Sequence, residues 1–377
     1  MKAPWRSWRV LSIALASALA GGCTGTEHPE ASSTTAPASP QATRSTIPSP
    51  IAITPPSAAF PDLTGKYKVG RRSYQFVDET REEPMTREAG DKHSLTITVY
   101  YPAGDIYNVQ HAAYLDPLLT ETVKRTVGAS SAQFLSTLVT HAYKDAPATG
   151  EGGPFPVVLF WPGTLNTAAI YSTILENLAS HGYVAVGITE PYNTSYAELD
   201  NSPDPKGPGR VYSWAADEPF ILQKLSELNN TDLGGVVDVD AVAVGGHSAG
   251  GDAAGLATVE HGNVKAMLNL DGAGGLGHNP LVPSLLMSSG YDRDRYTYDF
   301  RMRGIAHSDF ETDVGLLAEK YPSRIGVRRG SVRPARMLEL VVTYSLAFLD
   351  KHLKSVQTSL LDGNSTQFPE MQHRPPA

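Results

Sequence analysis

Short apolar runs alternate along this chain with segments of helical spacing. Each run is rich in Val, Leu or aromatic residues and is followed closely by glycine, as expected of a buried strand that ends in a tight turn. The strands predicted in this way cover residues 156–161, 242–244, 264–270, 281–288 and 296–303. Helices are predicted at about 168–181 and after residue 250. Strands that alternate with helices are typical of an α/β fold, with a mostly parallel central sheet flanked by helices on both faces.

One predicted strand-to-helix turn carries a serine at its apex. Residues 246–250 read Gly-His-Ser-Ala-Gly and are followed by small residues that suit a closely packed helix. This pattern is typical of a nucleophile elbow, in which a strained turn exposes the serine Oγ and the flanking glycines avoid a clash between strand and helix. The positive end of the helix dipole would face an attacked carbonyl oxygen. We therefore predict Ser248 as a nucleophile, with Gly246 and Gly250 as the elbow glycines.

A serine nucleophile needs a base that takes its proton and an acid that orients the base. In elbow enzymes both follow the serine, the acid first, on loops beyond the ends of strands. Asp271 ends the predicted strand at 264–270 and is the leading acid, while Asp292 and Asp294 after the next strand are the alternatives. His307 lies in the loop after the last predicted strand and is the predicted base.

Two other histidines are weaker candidates for the base. His278 precedes the last two predicted strands, and His247 is next to the serine, where its side chain would point away from the Oγ. We interpret His247 as a packing or hydrogen-bonding residue. The other histidines are scattered without ligand spacing, so no metal site is predicted.

A transition state of acyl transfer also needs two N–H donors for the developing oxyanion. The amide of Ala249, directly after the nucleophile, is the first predicted donor. The second is predicted at Thr164, in the loop after the strand at 156–161, because Gly163 lets the backbone turn towards the serine. An ordinary strand-to-helix turn is the alternative interpretation of this loop.

These motifs occur within a sequence that resembles the platelet-activating factor acetylhydrolase family of α/β-hydrolases. The resemblance covers about residues 65–350 and is carried by LFWPGTLNTAAIYSTILENLASHGYVAVGITEPYN at 159–193, LTITVYYPA at 95–103, GGHSAGG at 245–251 and GIAHSDFET at 304–312. It implies a lipase-like serine esterase that acts on short or oxidised acyl esters. Because the acid of that family follows the sixth strand, the resemblance favours Asp271 over Asp292.

One departure from the family lies in the oxyanion loop. Family members commonly carry His-Gly where this chain has Pro162-Gly163, which removes a side-chain hydrogen-bonding group and a backbone donor from the rim of the site. We therefore expect the same reaction type with an altered fine specificity.

Composition and a misleading motif narrow the functional classes further. The formal net charge is −8, which argues against a nucleic-acid partner. Residues 272–277 fit the G-x-G-x-x-G pattern, but His-Asn-Pro and another predicted strand follow where a dinucleotide site needs a helix. No cofactor is predicted. The expected partner is a small-molecule or lipid ester substrate.

The first residues predict export. Lys2, Arg6 and Arg9 precede a short apolar run, and residues 19–23 read Leu-Ala-Gly-Gly-Cys, which resembles a bacterial lipobox. Residues 1–23 are therefore predicted to be a lipoprotein signal peptide, with Cys23 as the lipidated residue that contacts the membrane. The protein would then be an extracytoplasmic lipoprotein of the cell envelope; a plain secretory signal and a secreted product are the alternative.

The remaining boundaries follow from composition. Residues 24–61 are rich in Ser, Thr, Pro and Ala and are predicted to be a disordered tether, residues 62–356 the α/β-hydrolase domain, and residues 357–377 a disordered tail. Apolar residues between 114 and 143 predict two short amphipathic helices, which either pack on the core or form one wall of the acyl pocket. A polyester or triacylglycerol hydrolase, an acyltransferase and a catalytically silent surface binding protein remain alternative functions.

Overall fold

The computed structural model describes residues 59–193, 208–272, 280–290 and 296–375. The strands are β1 (Lys68–Glu82), β2 (Lys92–Ala103), β3 (His111–Ala113), β4 (Val139–Lys144), β5 (Phe155–Trp161), β6 (Val184–Thr189), β7 (Val237–His247), β8 (Val264–Leu270), β9 (Ser284–Ser288), β10 (Tyr298–Met302) and β11 (Met371–Arg374). Within the described ranges these strands form one sheet in the order β11-β10-β9-β8-β7-β5-β6-β2-β1-β4-β3.

Helices in the described ranges lie between many of these strands in the sequence. They are α1 (Thr120–Val127), α2 (Ala129–Ser136), α3 (Ser172–Ser180), α4 (Pro208–Ala215), α5 (Asp217–Asn229), α6 (Ala249–Glu260), α7 (Thr312–Lys320) and α8 (Pro334–Leu353). Short 3₁₀ turns occur at Pro117–Leu119, Ala168–Tyr171, Pro191–Asn193 and His307–Phe310. The two helices predicted between 114 and 143 are confirmed as α1 and α2.

The centre of the sheet is parallel, as the sequence predicts. β6, β5, β7, β8, β9 and β10 pair in parallel, whereas β2 joins β6 and β1 in antiparallel fashion. All residues of β5 are buried, which agrees with its continuous apolar run. The carboxyl ends of these parallel strands lie at one edge, where loops can bring distant side chains together.

Helices cover both faces of the sheet, and the alternation of side chains along β5 explains why. Val157, Leu159 and Trp161 contribute to one apolar cluster with α4, α5 and α6, whereas Val158 and Phe160 contribute to another with α3, α7 and α8. Burial of each such Val, Leu or Phe side chain contributes about 1.5–3 kcal/mol. The two clusters hold the parallel strands, and therefore their loops, in fixed positions.

The predicted disordered tail is wrong for the residues that the structure describes, up to 375. β11 pairs with the edge strand β10, and the Arg374 guanidinium donates to Asp299 Oδ1 at 2.6 Å. Phe368 is buried with its ring 5.7 Å from that of Tyr344 in an edge-to-face contact. The prediction failed because it rested on polar composition, and a few apolar residues at irregular spacing suffice to anchor a segment on an existing core.

The packed domain also begins earlier than predicted. Ala59 and Phe60 are buried, and the Phe60 ring lies 5.0 Å from that of Tyr114, so the boundary at residue 62 is too late. The predicted signal peptide with Cys23, and the tether up to residue 58, lie outside the described residues. No helix in the described ranges has both the length and the apolar character needed to span a membrane.

Candidate active site

Ser248 lies in a strained turn between β7 and α6. Its φ of 56° and ψ of −123° fall where residues other than glycine are rare. A Cβ at Gly246 would overlap the backbone of Gly250, and a Cβ at Gly250 would overlap the carbonyl oxygen of Trp161. Because strand, turn and helix are this close, only glycine fits two residues before and two residues after the serine.

Asp271 and His307 are brought together although they are far apart in the sequence. Asp271 follows the last residue of β8, and His307 begins a 3₁₀ turn after β10. His307 Nδ1 lies 2.7 Å from Asp271 Oδ2. The Asp271 side chain is fully buried, whereas that of His307 is 44% exposed and can therefore be reached from solvent.

The hydrogen bonds around Asp271 fix the form of the imidazole. Burial raises the pKa of Asp271, but hydrogen bonds from His307 and Ser289 outweigh it and lower the pKa below its ordinary value. The N–H of Ser289 donates to Oδ1 and its hydroxyl to Oδ2, each at 2.7 Å. An ionised carboxylate accepts the Nδ1–H of His307, which leaves Nε2 of the neutral ring with a lone pair.

His307 and Ser248 lie at the same edge of the sheet. The ring of His247, the residue before Ser248, is 4.5 Å from the ring of His307. Among the described residues no hydrogen bond joins His307 to the Ser248 Oγ. Hydrogen bonds of this kind are often long in the absence of substrate and shorten in the complex.

The loop that carries Thr164 packs against the elbow. A Cβ at Gly163 would come within 3.4 Å of the Ser248 Cβ, so the two turns are in contact. Asn193 holds the loop, since its Nδ2 donates to Gly163 O at 3.0 Å and its Oδ1 accepts from the Leu165 N–H at 3.2 Å. Arg210 donates to Thr164 Oγ1 at 3.1 Å. Neither Thr164 nor Ala249 uses its backbone N–H in a hydrogen bond to another described residue.

A buried network of two further side chains connects these parts. The Tyr171 hydroxyl accepts from the Gly163 N–H at 3.2 Å and donates to His247 Nδ1 at 2.7 Å. The His247 proton must then be on Nε2, which donates to the His307 carbonyl oxygen at 3.2 Å. Burial, and then the nearby His307, lower the pKa of His247 to about 3, so this ring is neutral. Sequence reasoning missed Tyr171, because no local pattern marks a tyrosine that bridges two loops.

Several sequence alternatives lie outside the described residues. These are Asp292, Asp294, His278 and most of the glycine-rich segment that begins at Gly272. The structure thus brings Asp271 and His307 together without describing where the competing acids lie.

Comparison with known proteins connects the chain to esterases. A family model described as platelet-activating factor acetylhydrolase, isoform II, matches residues 52–197, and one described as chlorophyllase matches residues 138–288. A probable 1-alkyl-2-acetylglycerophosphocholine esterase of Arthroderma benhamiae is 24% identical over 262 residues, which cover 59% of this chain and 67% of that protein. Chloroplastic chlorophyllase-1 of Citrus unshiu is 31% identical over 143 residues, 38% of this chain and 40% of the plant enzyme.

A solved structure agrees with the fold. The ferulic acid esterase of Streptomyces cinnamoneus superposes with a TM-score of 0.68 at 23% sequence identity, covering 83% of this chain and 98% of that one. The α/β-hydrolase fold is therefore confirmed, and so is the sequence resemblance noted above. The matched chlorophyllase region includes β7, the elbow and β8.

Proposed function

We propose that this relative of the platelet-activating factor acetylhydrolase family, an α/β-hydrolase in fold, hydrolyses carboxylic esters with Ser248 as its nucleophile. The observation that carries the proposal is the 2.7 Å contact between His307 Nδ1 and Asp271 Oδ2 at the edge of the sheet that carries the strained serine. A serine, an acid and an imidazole in this order along the chain are the parts that acyl transfer needs.

The proposed reaction has two halves. His307 Nε2 accepts the proton of the Ser248 hydroxyl while the Oγ attacks the ester carbonyl carbon, and Asp271 stabilises the imidazolium that forms. The N–H groups of Thr164 and Ala249 donate to the oxyanion. The C–O bond to the alcohol then breaks, His307 gives its proton to the leaving oxygen, and an acyl ester remains on Ser248. In the second half water attacks this ester with the same proton transfers and releases the acid.

As substrates we propose short or medium acyl esters, with phospholipid acetyl esters among them. The named activity of the Arthroderma benhamiae relative, an esterase for a 2-acetylated glycerophosphocholine, supports this choice. The chlorophyllase and ferulic acid esterase similarities support carboxylic-ester chemistry without favouring one leaving group.

A panel of p-nitrophenyl esters from about two to sixteen acyl carbons tests the substrate class, because pocket length limits the acyl chain. We expect kcat/KM to be highest for the short esters and to fall towards the long ones. A maximum at the longest chains would instead favour a triacylglycerol or polyester hydrolase. A folded protein that neither hydrolyses any ester nor reacts with a fluorophosphonate probe at Ser248 would contradict the esterase proposal and favour a binding protein.

The Tyr171 hydroxyl should support catalysis without touching substrate. In Tyr171→Phe, the buried Gly163 N–H and His247 Nδ1 lose their shared partner, and an unsatisfied buried group costs about 1–3 kcal/mol. We expect kcat to fall about tenfold, since both connected loops lose a positioning contact, with KM within about twofold.

Tyr344→Phe is the matched control for this variant. Tyr344 is buried, and its hydroxyl has no hydrogen-bond partner among the described residues. Steady-state kinetics should therefore give wild-type kcat for Tyr344→Phe. Equal kcat values for the two variants would show that the Tyr171 network does not position the active site.

A further inference from the structure

Three buried ionisable side chains meet beside the oxyanion loop. His93 is the second residue of β2, Glu190 directly follows β6, and Asp217 is the first residue of α5. Their exposed fractions are 2%, 4% and 0%. His93 Nε2 lies 2.9 Å from Asp217 Oδ1 and 3.7 Å from Glu190 Oε2. One possible ligand atom of each of the three residues lies within 4.8 Å of those of the other two.

The His93 ring is oriented as metal-bound imidazoles usually are. Its Nδ1 lies 2.8 Å from Glu83 Oε2, so this carboxylate accepts the Nδ1–H and directs Nε2 towards the other two carboxylates. A carboxylate on the second nitrogen is the common outer partner of a metal-ligating histidine, because it fixes the tautomer and makes the ligand more basic.

Two carboxylate oxygens in this cluster have no hydrogen-bond donor among the described residues outside it. Glu190 Oε1 and Asp217 Oδ2 are buried and accept no hydrogen bond from a described residue, apart from a proton that the two carboxyl groups can share. The guanidinium of Arg81 donates to the other Asp217 oxygen, Oδ1. Leaving buried carboxylate oxygens unsatisfied is costly, so a cation bound between the two carboxylates would stabilise this cluster.

The space beside His93 and Glu190 admits only a very small ligand. A cavity of about 10 Å³ is lined by Glu83, His93 and Glu190, together with Asn193 and Arg210. A volume of this order holds about one water molecule. The cavity therefore excludes an organic cofactor and has room for a single small ion or a single water molecule.

We propose that His93, Glu190 and Asp217 bind one divalent cation, and that this cation is zinc. One imidazole and two carboxylates form a donor set that zinc accepts, whereas calcium needs six to eight oxygen ligands. His93 Nε2 is 2.9 Å from Asp217 Oδ1 and 3.7 Å from Glu190 Oε2. With cation–ligand distances of about 2.1 Å, these separations correspond to angles of about 90° and about 125° at the cation. Zinc replaces any proton on His93 Nε2, and that proton is released to solvent.

The cation would act as a clamp and not as a catalyst. It joins the start of β2, the end of β6 and the start of α5, and Asn193, which holds the oxyanion loop, ends the 3₁₀ turn that follows Glu190. The proposal does not depend on the esterase reaction, since metal binding and thermal stability can be measured without a substrate.

The test uses the full chain after removal of metals with a chelator. Isothermal titration with zinc chloride should give one site per chain, and saturation should raise the melting temperature by a few degrees, because the cation binds only the folded state. Glu190→Gln should weaken zinc binding at least about tenfold. Glu218→Gln is the matched control, since Glu218 is also buried, follows Asp217 in α5 and lies outside the ligand set.

Equal zinc affinity in wild type and Glu190→Gln would overturn the proposal, because the ion would then bind elsewhere. Absence of a saturable zinc site in the wild type would also overturn the proposal. His93, Glu190 and Asp217 would then form a network of ion pairs and shared protons without a metal. Asp217→Asn serves as the second variant if circular dichroism shows that Glu190→Gln does not fold. It should lose zinc binding to the same extent.

Discussion

Ser248→Ala is expected to lower kcat for ester hydrolysis by about 10⁶-fold, since no other group can form the acyl intermediate. The variant should keep its fold, because the alanine side chain differs only by the hydroxyl and fits the same turn. Initial rates on a short p-nitrophenyl ester, measured beside the melting temperature, check both expectations. Labelling by a fluorophosphonate probe should be lost as well.

Ser226→Ala is a suitable control, because Ser226 is exposed on α5. It should match the wild type in rate and labelling. A purified Ser248→Ala variant that keeps more than a small fraction of the wild-type rate would show that another residue is the nucleophile.

Asp271→Asn is expected to lower kcat by about 10⁴-fold. An asparagine amide that donates to His307 Nδ1 would place the ring proton on Nε2. A protonated Nε2 can no longer accept the proton of the serine hydroxyl. The Ser289 N–H and hydroxyl, which donate to Asp271, would also face an amide that is a poorer acceptor. The ratio of kcat values on one short ester measures the effect.

Asp292→Asn is the informative comparison for that variant. The sequence leaves Asp292 open as an acid, and the residue lies outside the described ranges. We expect its kcat to stay within about threefold of the wild type, because the proposed mechanism gives Asp292 no role in proton transfer. If Asp292→Asn were the crippling change and Asp271→Asn were mild, the assignment of the acid would be wrong.

Local patterns predict the elements that carry the site. β5 and β8 are read from continuous apolar runs, and their observed limits differ from the predicted ones by one residue or none. The proximity of Asp271 to His307 follows from a rule of order and topology: loops after parallel strands meet at one edge. Such rules need only short-range sequence signals.

Local sequence patterns do not predict contacts between side chains that are far apart in the sequence. Tyr171 bonds to His247, and His93 approaches Glu190 and Asp217, from positions far apart in the chain. The spacing of the histidines predicts no metal site, but such spacing tests only ligands that are close in the sequence, and the site proposed above would draw its ligands from separate elements. The burial of Phe368 was not predicted for a similar reason, because its partner Tyr344 belongs to a helix earlier in the chain.

The backbone conformation of Ser248 lowers the stability of the folded chain. A non-glycine residue at a φ of 56° costs on the order of 1–3 kcal/mol, and the packing of β7 and α6 must compensate for that cost. Glycine would adopt the same backbone with less strain, so selection for stability alone would favour glycine at this position. The serine at this position is therefore costly for the fold, and the proposed role of its hydroxyl as a nucleophile accounts for that cost.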